Sequence, residues 1–183
     1  VQIDGRGTPF RHKAFHDKSY GDYCSSSFIG DHVAGIQQLA HRYSYMDLER
    51  VGITCHLSGG SAGVLGLLQY PDFYKVGVND CLHDLRLAPG AMMSEKYEGL
   101  SPSKHQLLEE QVDKLQGDLL VIHGLLDNCI LPAATFRFVE ALQKANKDFD
   151  LILQPSMGHV SSSDYLTRRV WEYLIRHLLK VEP

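Results

Sequence analysis

Three side chains that could together hydrolyse an acyl bond lie in loops, and each loop follows an apolar run. Ser58 is in C-H-L-S-G-G at 55–60, Asp127 is in H-G-L-L-D at 123–127, and His159 is in P-S-M-G-H at 155–159. The chain order Ser, Asp, His is that of an α/β-hydrolase triad, in which the imidazole activates the nucleophile and the carboxylate orients the imidazole. A single Asp or His in a loop is usually a turn or surface residue. Three of them in this order predict a hydrolase-type site.

The elements that must position these residues alternate between β-rich runs and helical patterns. The runs predict strands at 1–3, 50–55, 74–78, 118–123 and 149–153. Apolar spacing predicts helices over about 28–43, 62–69, 132–145 and 164–179, and residues 80–103 are expected to be irregular. Alternation of this kind is typical of an α/β fold with a mostly parallel sheet and helices on both faces. In such sheets the chemistry lies at the carboxyl ends of the strands.

The composition is that of a globular domain, with 44% hydrophobic and 22% charged residues among 183. A net charge of −4 without a basic run argues against a nucleic-acid partner, and no apolar stretch is long enough to span a membrane. The four cysteines are widely spaced and predict free thiols rather than a zinc site or a disulfide framework. We therefore expect one domain over 1–183, without a cofactor and without a metal.

Longer stretches give a specific resemblance. They include D-G-R-G-T-P at 4–9, Y-M-D-L-E-R-V-G-I at 45–53, Y-P-D-F-Y-K-V-G-V at 70–78, E-K-Y-E-G-L at 95–100 and T-R-R-V-W-E-Y at 167–173. In these stretches the chain resembles the C-terminal catalytic domain of the prolyl oligopeptidase family (peptidase family S9), closest to bacterial dipeptidyl peptidase IV-type members.

The resemblance implies an N-terminally truncated α/β-hydrolase domain with serine peptidase activity on peptides, and a β-propeller that precedes it in the full-length parent. It also implies a homodimer contact near the last helix and a bacterial periplasmic or cytoplasmic location. It aligns Val1 with an internal strand of the larger domain. The earlier strands, and the loop that supplies a second oxyanion donor, are then expected to lie outside this chain. In the long loop after residue 79, His83 and Asp84 are interpreted either as pocket residues or as packing residues.

The family's triad matches this sequence unevenly. Its Asp corresponds to Asp127 and its His to His159, whereas its nucleophile motif G-x-S-x-G-G falls on 55–60. The serine position is therefore Leu57, and the first glycine of the motif is Cys55. Leucine has no attacking oxygen and cannot form an acyl-enzyme.

Ser58 is the alternative nucleophile, but its surroundings do not favour it. A nucleophile elbow needs small residues two positions before and after its tip, and for Ser58 the preceding one is His56. Ser58 would more naturally offer its backbone N–H as an oxyanion donor. Two hypotheses stay open at this stage: a peptidase that uses Ser58, and a non-catalytic homologue that serves as a binding or scaffold domain.

Other departures from the family pattern surround the same site. The residues that follow the triad positions are Asn128, Cys129 and Val160. These changes favour the non-catalytic homologue. They argue against a third reading, an active enzyme inactivated by a single engineered substitution.

Overall fold

A parallel sheet carries the candidate site at one edge. The computed structural model describes residues 1–21, 28–56, 58–82, 91–100, 106–159 and 162–183. Within these residues the strands are β1 (Val51–His56), β2 (Tyr74–Asp80), β3 (Asp118–Gly124) and β4 (Asp150–Gln154). They pair in the order β1-β2-β3-β4, and every pair is parallel. All the carboxyl ends therefore meet at one edge of the sheet.

Helices connect the strands. They are α1 (Lys13–His16), α2 (Ile29–Arg42), α3 (Ser58–Gln69), α4 (Ala91–Glu98), α5 (Pro132–Lys144) and α6 (Asp164–Leu174), and a π-helical turn (Ile175–Leu179) continues the last of them. Short 3₁₀ turns occupy Asp17–Ser19, Leu108–Glu110 and Val112–Lys114. No helix among the described residues combines the length and the apolar character needed to cross a bilayer.

The two central strands are buried on both faces, which explains their nearly continuous apolar sequences. Successive residues of β3 point to opposite sides of the sheet. Leu119 and Val121 join the apolar cluster that includes residues of α2, α3 and α5. Leu120 and Ile122 join the cluster formed with α6. Helices on both faces of a parallel sheet confirm the predicted α/β fold.

Two sequence predictions about local structure are wrong. Residues 1–3 do not form a strand: they pair with none of the described strands, and Val1 is largely exposed. A β-rich tripeptide without a neighbouring strand cannot form ladder hydrogen bonds. The region 80–103 is not irregular throughout, because Ala91–Glu98 is helical. Ala, Met, Glu and Lys, which make up much of that segment, are strong helix formers.

The helix that follows β1 begins at Ser58, four residues earlier than predicted. The Gly59-Gly60 pair does not break it. Close packing accounts for small residues in its first turns, since a Cβ built at Gly63 would lie 2.6 Å from Cys55 Sγ. Burial raises the pKa of the Cys55 thiol to about 12. Cys55 is therefore a protonated thiol that packs against the following helix near the end of β1.

Candidate active site

The structure brings Asp127 and His159 together, as the sequence predicts for residues that follow neighbouring strands. Asp127 lies in the loop after β3 and His159 in the loop after β4. His159 Nδ1 is 2.9 Å from Asp127 Oδ2. The Asp127 side chain is 1% exposed and the His159 side chain is 24% exposed. The carboxylate is thus shielded from water while the imidazole reaches the surface.

Backbone hydrogen bonds hold the two loops against each other. The Leu125 N–H donates to the Gln154 carbonyl at 2.9 Å, and the Leu126 N–H donates to the Met157 carbonyl at 2.9 Å. Gly124 makes this approach possible, because a Cβ at this position would lie 2.6 Å from the Met157 carbonyl oxygen. The glycine of the H-G-x-x-D pattern therefore has a direct steric role in bringing the histidine loop to the aspartate.

Within the described part of the chain, the carboxylate of Asp127 accepts four hydrogen bonds. Oδ1 accepts from the backbone N–H groups of Cys129 and Ile130, each at 2.8 Å. Oδ2 accepts from His159 Nδ1 at 2.9 Å and from Cys81 Sγ at 3.0 Å. Burial alone would raise the pKa of Asp127, but the Cys81, His159 and backbone donors together lower it to about 2. An ionised carboxylate only accepts hydrogen bonds, so in the neutral imidazole the proton lies on Nδ1 and the lone pair is on Nε2.

Cys81 is a site residue that the sequence did not single out. It directly follows β2, is 2% exposed, and has a φ of +62° in the left-handed region. Its N–H donates to the Ile122 carbonyl at 2.9 Å. Burial and the bond to the Asp127 carboxylate raise the pKa of its thiol far above the usual range, so it remains a protonated donor. The only sequence signal for it was its position in the loop after a predicted strand.

His123 lies behind the aspartate in β3 and is fully buried. Its Nε2 is 3.0 Å from the Ile130 carbonyl, its Nδ1 is 2.8 Å from Thr135 Oγ1, and its Nε2 is 3.9 Å from Asp127 Oδ2. The ligand atoms of Cys81, His123 and Asp127 lie within 4.8 Å of one another, a spacing that a metal ion could use. Because both ring nitrogens of His123 already have protein partners, this buried group is better explained as packing that supports Asp127.

A second histidine–carboxylate pair lies next to the first. His56 ends β1 and Asp80 ends β2; they are register partners, and His56 Nδ1 is 3.0 Å from Asp80 Oδ2. The His56 side chain is 38% exposed and that of Asp80 is 16% exposed. Burial raises the pKa of Asp80, and the neighbouring His56 offsets only part of this rise. From the sequence alone His56 is only a large residue near the elbow, because its pairing with Asp80 depends on the strand register.

The nucleophile position follows directly after β1. Leu57 lies outside the described residues, as do His83, Asp84 and Val160, and so does the side chain of Ser58. Ser58 is the first residue of α3. Its backbone N–H belongs to the first turn, where N–H groups have no partner within the helix. The assignment of Ser58 as the alternative nucleophile therefore stays a prediction.

Comparisons with known proteins agree with the resemblance seen in the sequence. Human dipeptidyl peptidase 8 is 30% identical over 167 residues, which cover 87% of this chain and 18% of that protein. A Bacteroides ovatus protein named as a dipeptidyl aminopeptidase IV superposes with a TM-score of 0.87 at 26% identity, over 96% of this chain and 26% of the other. For Porphyromonas gingivalis dipeptidyl peptidase 4 the TM-score is 0.82 at 23% identity, with the same coverage, which shows a shared fold.

The chain thus spans about a fifth of the human relative and about a quarter of the bacterial ones. The family model of the prolyl oligopeptidase family matches residues 1–181. Because this match covers nearly the whole chain, the protein has a serine peptidase-like domain and belongs to the prolyl oligopeptidase family.

Proposed function

We propose that this chain is a peptidase-type domain of the dipeptidyl peptidase kind. Its general base is assembled, but the usual serine is missing from the nucleophile position. His159 would be the base, Asp127 would orient it, and Leu57 would occupy the nucleophile position. The observation that carries the proposal is the 2.9 Å bond from His159 Nδ1 to a buried, ionised Asp127. The names of the relatives support peptides as the class of ligand.

The electrostatics support a base at His159. When Nε2 takes a proton from a hydroxyl, the imidazolium is stabilised by the Asp127 carboxylate at its other nitrogen. The four donors around that carboxylate keep it ionised, so the proton remains on the imidazole. The backbone N–H of Ser58, at the start of α3, lies one residue after the nucleophile position, where hydrolases of this fold place an oxyanion donor.

The substitution at Leu57 limits what this base can do. Loss of the nucleophile in a serine peptidase lowers kcat by about 10⁶. Any acyl transfer in this chain would therefore depend on Ser58. The second candidate function is a non-catalytic domain that binds peptides, and Leu57 together with Asn128, Cys129 and Val160 favours it.

Covalent labelling with a fluorophosphonate separates these functions. We expect the unmodified chain to label very slowly or not at all, and we expect Leu57→Ser to gain labelling because it places a hydroxyl at the elbow. Leu57→Ala is the matched control, since it removes the leucine without adding an oxygen. The double variant Leu57→Ser/His159→Gln should lose the gained labelling if His159 is the base.

The outcomes differ for the two candidates. Labelling of the unmodified chain that disappears in Ser58→Ala would establish an active peptidase that uses Ser58. A folded Leu57→Ser that stays unlabelled would contradict the proposal that this chain retains an assembled site apart from its nucleophile. Labelling gained only in Leu57→Ser would identify a domain that has lost its nucleophile but has retained the histidine base and the aspartate that orients it.

Two further partners belong to the proposal. The resemblance supports a β-propeller before this domain in the full-length parent, and a homodimer that uses the last helix. Tyr165 and Trp171 on α6 are 55% and 66% exposed, which supports a contact surface there. Sedimentation of the chain and of Trp171→Glu tests the dimer: a dimer that the variant dissociates supports it, and two identical monomeric profiles contradict it.

A further inference from the structure

Oδ2 of Asp127 has two side-chain donors, and one of them is not part of the His–Asp pair. His159 Nδ1 lies 2.9 Å from this oxygen and Cys81 Sγ lies 3.0 Å from it. Sγ is also 3.7 Å from Nδ1, so the three atoms form a closed triangle. The other oxygen, Oδ1, accepts from two backbone N–H groups of the aspartate's own loop. Cys81 thus brings a donor to the carboxylate from a third element of the fold.

The single hydrogen of the thiol has a defined place in this triangle. Burial and the neighbouring carboxylate raise the pKa of Cys81 far above the usual range, so the sulfur keeps its proton. Because an ionised carboxylate only accepts hydrogen bonds, the S–H is the donor and Oδ2 is the acceptor. In the neutral imidazole Nδ1 carries a hydrogen as well. Both donors of the triangle therefore converge on one oxygen.

The backbone places this thiol independently of the histidine loop. Cys81 directly follows β2, and its N–H donates to the Ile122 carbonyl at 2.9 Å, which ties it to the strand that leads to Asp127. Its φ of +62° lies in the left-handed region, which residues other than glycine adopt at a cost in free energy. Uncommon backbone conformations of this kind cluster at functional sites. The conformation of Cys81 therefore points to a role of its side chain in the site.

A donor held in this way restricts the carboxylate of Asp127. The two backbone bonds hold Oδ1 and the Cys81 bond holds Oδ2, so the orientation of the carboxylate is defined before His159 contributes. An oriented acceptor in turn holds the imidazole in one position. Such positioning matters for reactivity, since a displacement of about 1 Å in an active site can cost about 10²-fold in rate.

We propose that Cys81 is a positioning residue of this site, whose thiol holds Oδ2 of Asp127 where that oxygen accepts from His159 Nδ1. The proposal deepens the proposed function and rests on it, because the position of the imidazole affects a reaction only where His159 acts as a base. Core packing alone would make a different prediction: the hydroxyl of Cys81→Ser would then have no advantage over the methyl group of Cys81→Ala.

Infrared absorption of the S–H stretch tests the bond in the unmodified chain. Thiol bands lie apart from other protein bands, and a hydrogen bond to a carboxylate lowers their frequency. The difference between the unmodified chain and Cys81→Ser isolates the band of this thiol. We expect it at a lower frequency than the band of Cys55, whose sulfur packs against Gly63, and we expect Asp127→Asn to raise it. A band at the Cys55 frequency, or one that Asp127→Asn leaves in place, would overturn the proposal.

The Nδ1–H signal of His159 in ¹H NMR spectra reports the other side of the triangle. In Cys81→Ala we expect this signal to move upfield and to exchange faster with water, because the carboxylate can turn away from the imidazole. Cys81→Ser should restore the signal, since its hydroxyl also donates to a carboxylate. Cys55→Ala is the matched control, which removes a thiol near the end of another strand and should leave the signal unchanged.

Two NMR results would overturn the proposal. A downfield shift in Cys81→Ala would show that the thiol competes with His159 for the oxygen instead of positioning it. Equal signals in the unmodified chain and in Cys81→Ala would show that the thiol has no influence on the pair. Circular dichroism verifies that each variant is folded. The infrared test uses only Cys81→Ser and Asp127→Asn, which keep the size of the side chain, so a misfolded Cys81→Ala leaves the proposal falsifiable.

Fluorophosphonate labelling in the Leu57→Ser background separates this role from the proposed function. We expect Leu57→Ser/Cys81→Ala to label about 10- to 100-fold more slowly than Leu57→Ser, and Leu57→Ser/Cys81→Ser to recover most of the lost rate. Equal rates in all three would overturn the positioning role. A folded Leu57→Ser without labelling would contradict the proposed function instead, and the infrared and NMR results would still decide whether Cys81 positions Asp127.

Discussion

Replacing Asp127 with asparagine tests the electrostatic basis of the candidate site. The carboxylate is buried, and its hydrogen bonds lower its pKa from 3.8 to about 2. A group whose pKa is lowered on folding stabilises the protein above its unfolded-state pKa, and this stabilisation is lost as the pH falls through the folded-state pKa. A shift of this size corresponds to about 2.5 kcal/mol at pH 7, of which about half remains at pH 3. Asp127→Asn keeps the size of the side chain and removes this contribution.

Urea unfolding of both proteins at pH 7, 5 and 3 measures the effect. We expect Asp127→Asn to lower the free energy of unfolding by about 2–3 kcal/mol at pH 7 and 5, and we expect the gap to narrow by about 1 kcal/mol at pH 3. Asp113→Asn is the matched control, because Asp113 is exposed, and it should follow the unmodified protein at each pH. A gap that does not change between pH 7 and pH 3 would refute the assignment of Asp127 as the stabilised anion, and so would the absence of a gap at pH 7.

Three further substitutions test the contacts that position this pair. Cys81→Ala removes one of four hydrogen bonds to the buried carboxylate and should lower the free energy of unfolding by about 1.5–3 kcal/mol; an unchanged urea midpoint would contradict that bond. Gly124→Ala places a methyl group against the histidine loop, which should cost about 1–3 kcal/mol and alter the ¹⁵N shifts of the His159 imidazole in NMR spectra. A folded variant with unchanged shifts would contradict the steric role of the glycine. Thr135→Val leaves the buried His123 Nδ1 without its partner and should cost about 1–3 kcal/mol in urea unfolding; a neutral effect would show that Nδ1 is satisfied in another way.

Part of this site could be predicted from the sequence because it depends on local patterns. The apolar runs of β2 and β3 indicate buried parallel strands, and Asp127 and His159 follow such strands directly. Parallel strands place their carboxyl ends at one edge, so proximity of the two residues follows from topology without knowledge of the register. The resemblance to the family identifies the same two residues, and the structure places them in contact.

The other contacts of the site, those of His56 and Cys81, could not be predicted from the sequence, because they depend on the exact strand register and on backbone conformation. His56 pairs with Asp80 only because β1 and β2 align these two residues. Cys81 reaches Asp127 from a left-handed conformation that is uncommon for a residue other than glycine. Neither feature has a signature in composition or periodicity. The failed strand prediction at residues 1–3 has a related cause, since a strand is defined by its partner as much as by its own sequence.

Within the described residues, the contacts that hold the His–Asp pair come from its own two loops and from Cys81. The aspartate receives two backbone N–H groups of its own loop and the thiol of Cys81, and the two loops are joined through backbone bonds near Gly124. A leucine at position 57 removes none of these contacts, so a lost nucleophile and an intact base are physically compatible in one chain. The geometry of the pair therefore supports a general base at His159 whether or not a nucleophile is present. What distinguishes a peptidase from a binding domain is whether a hydroxyl near His159 Nε2 reacts, and the Leu57→Ser and Ser58→Ala variants measure that directly.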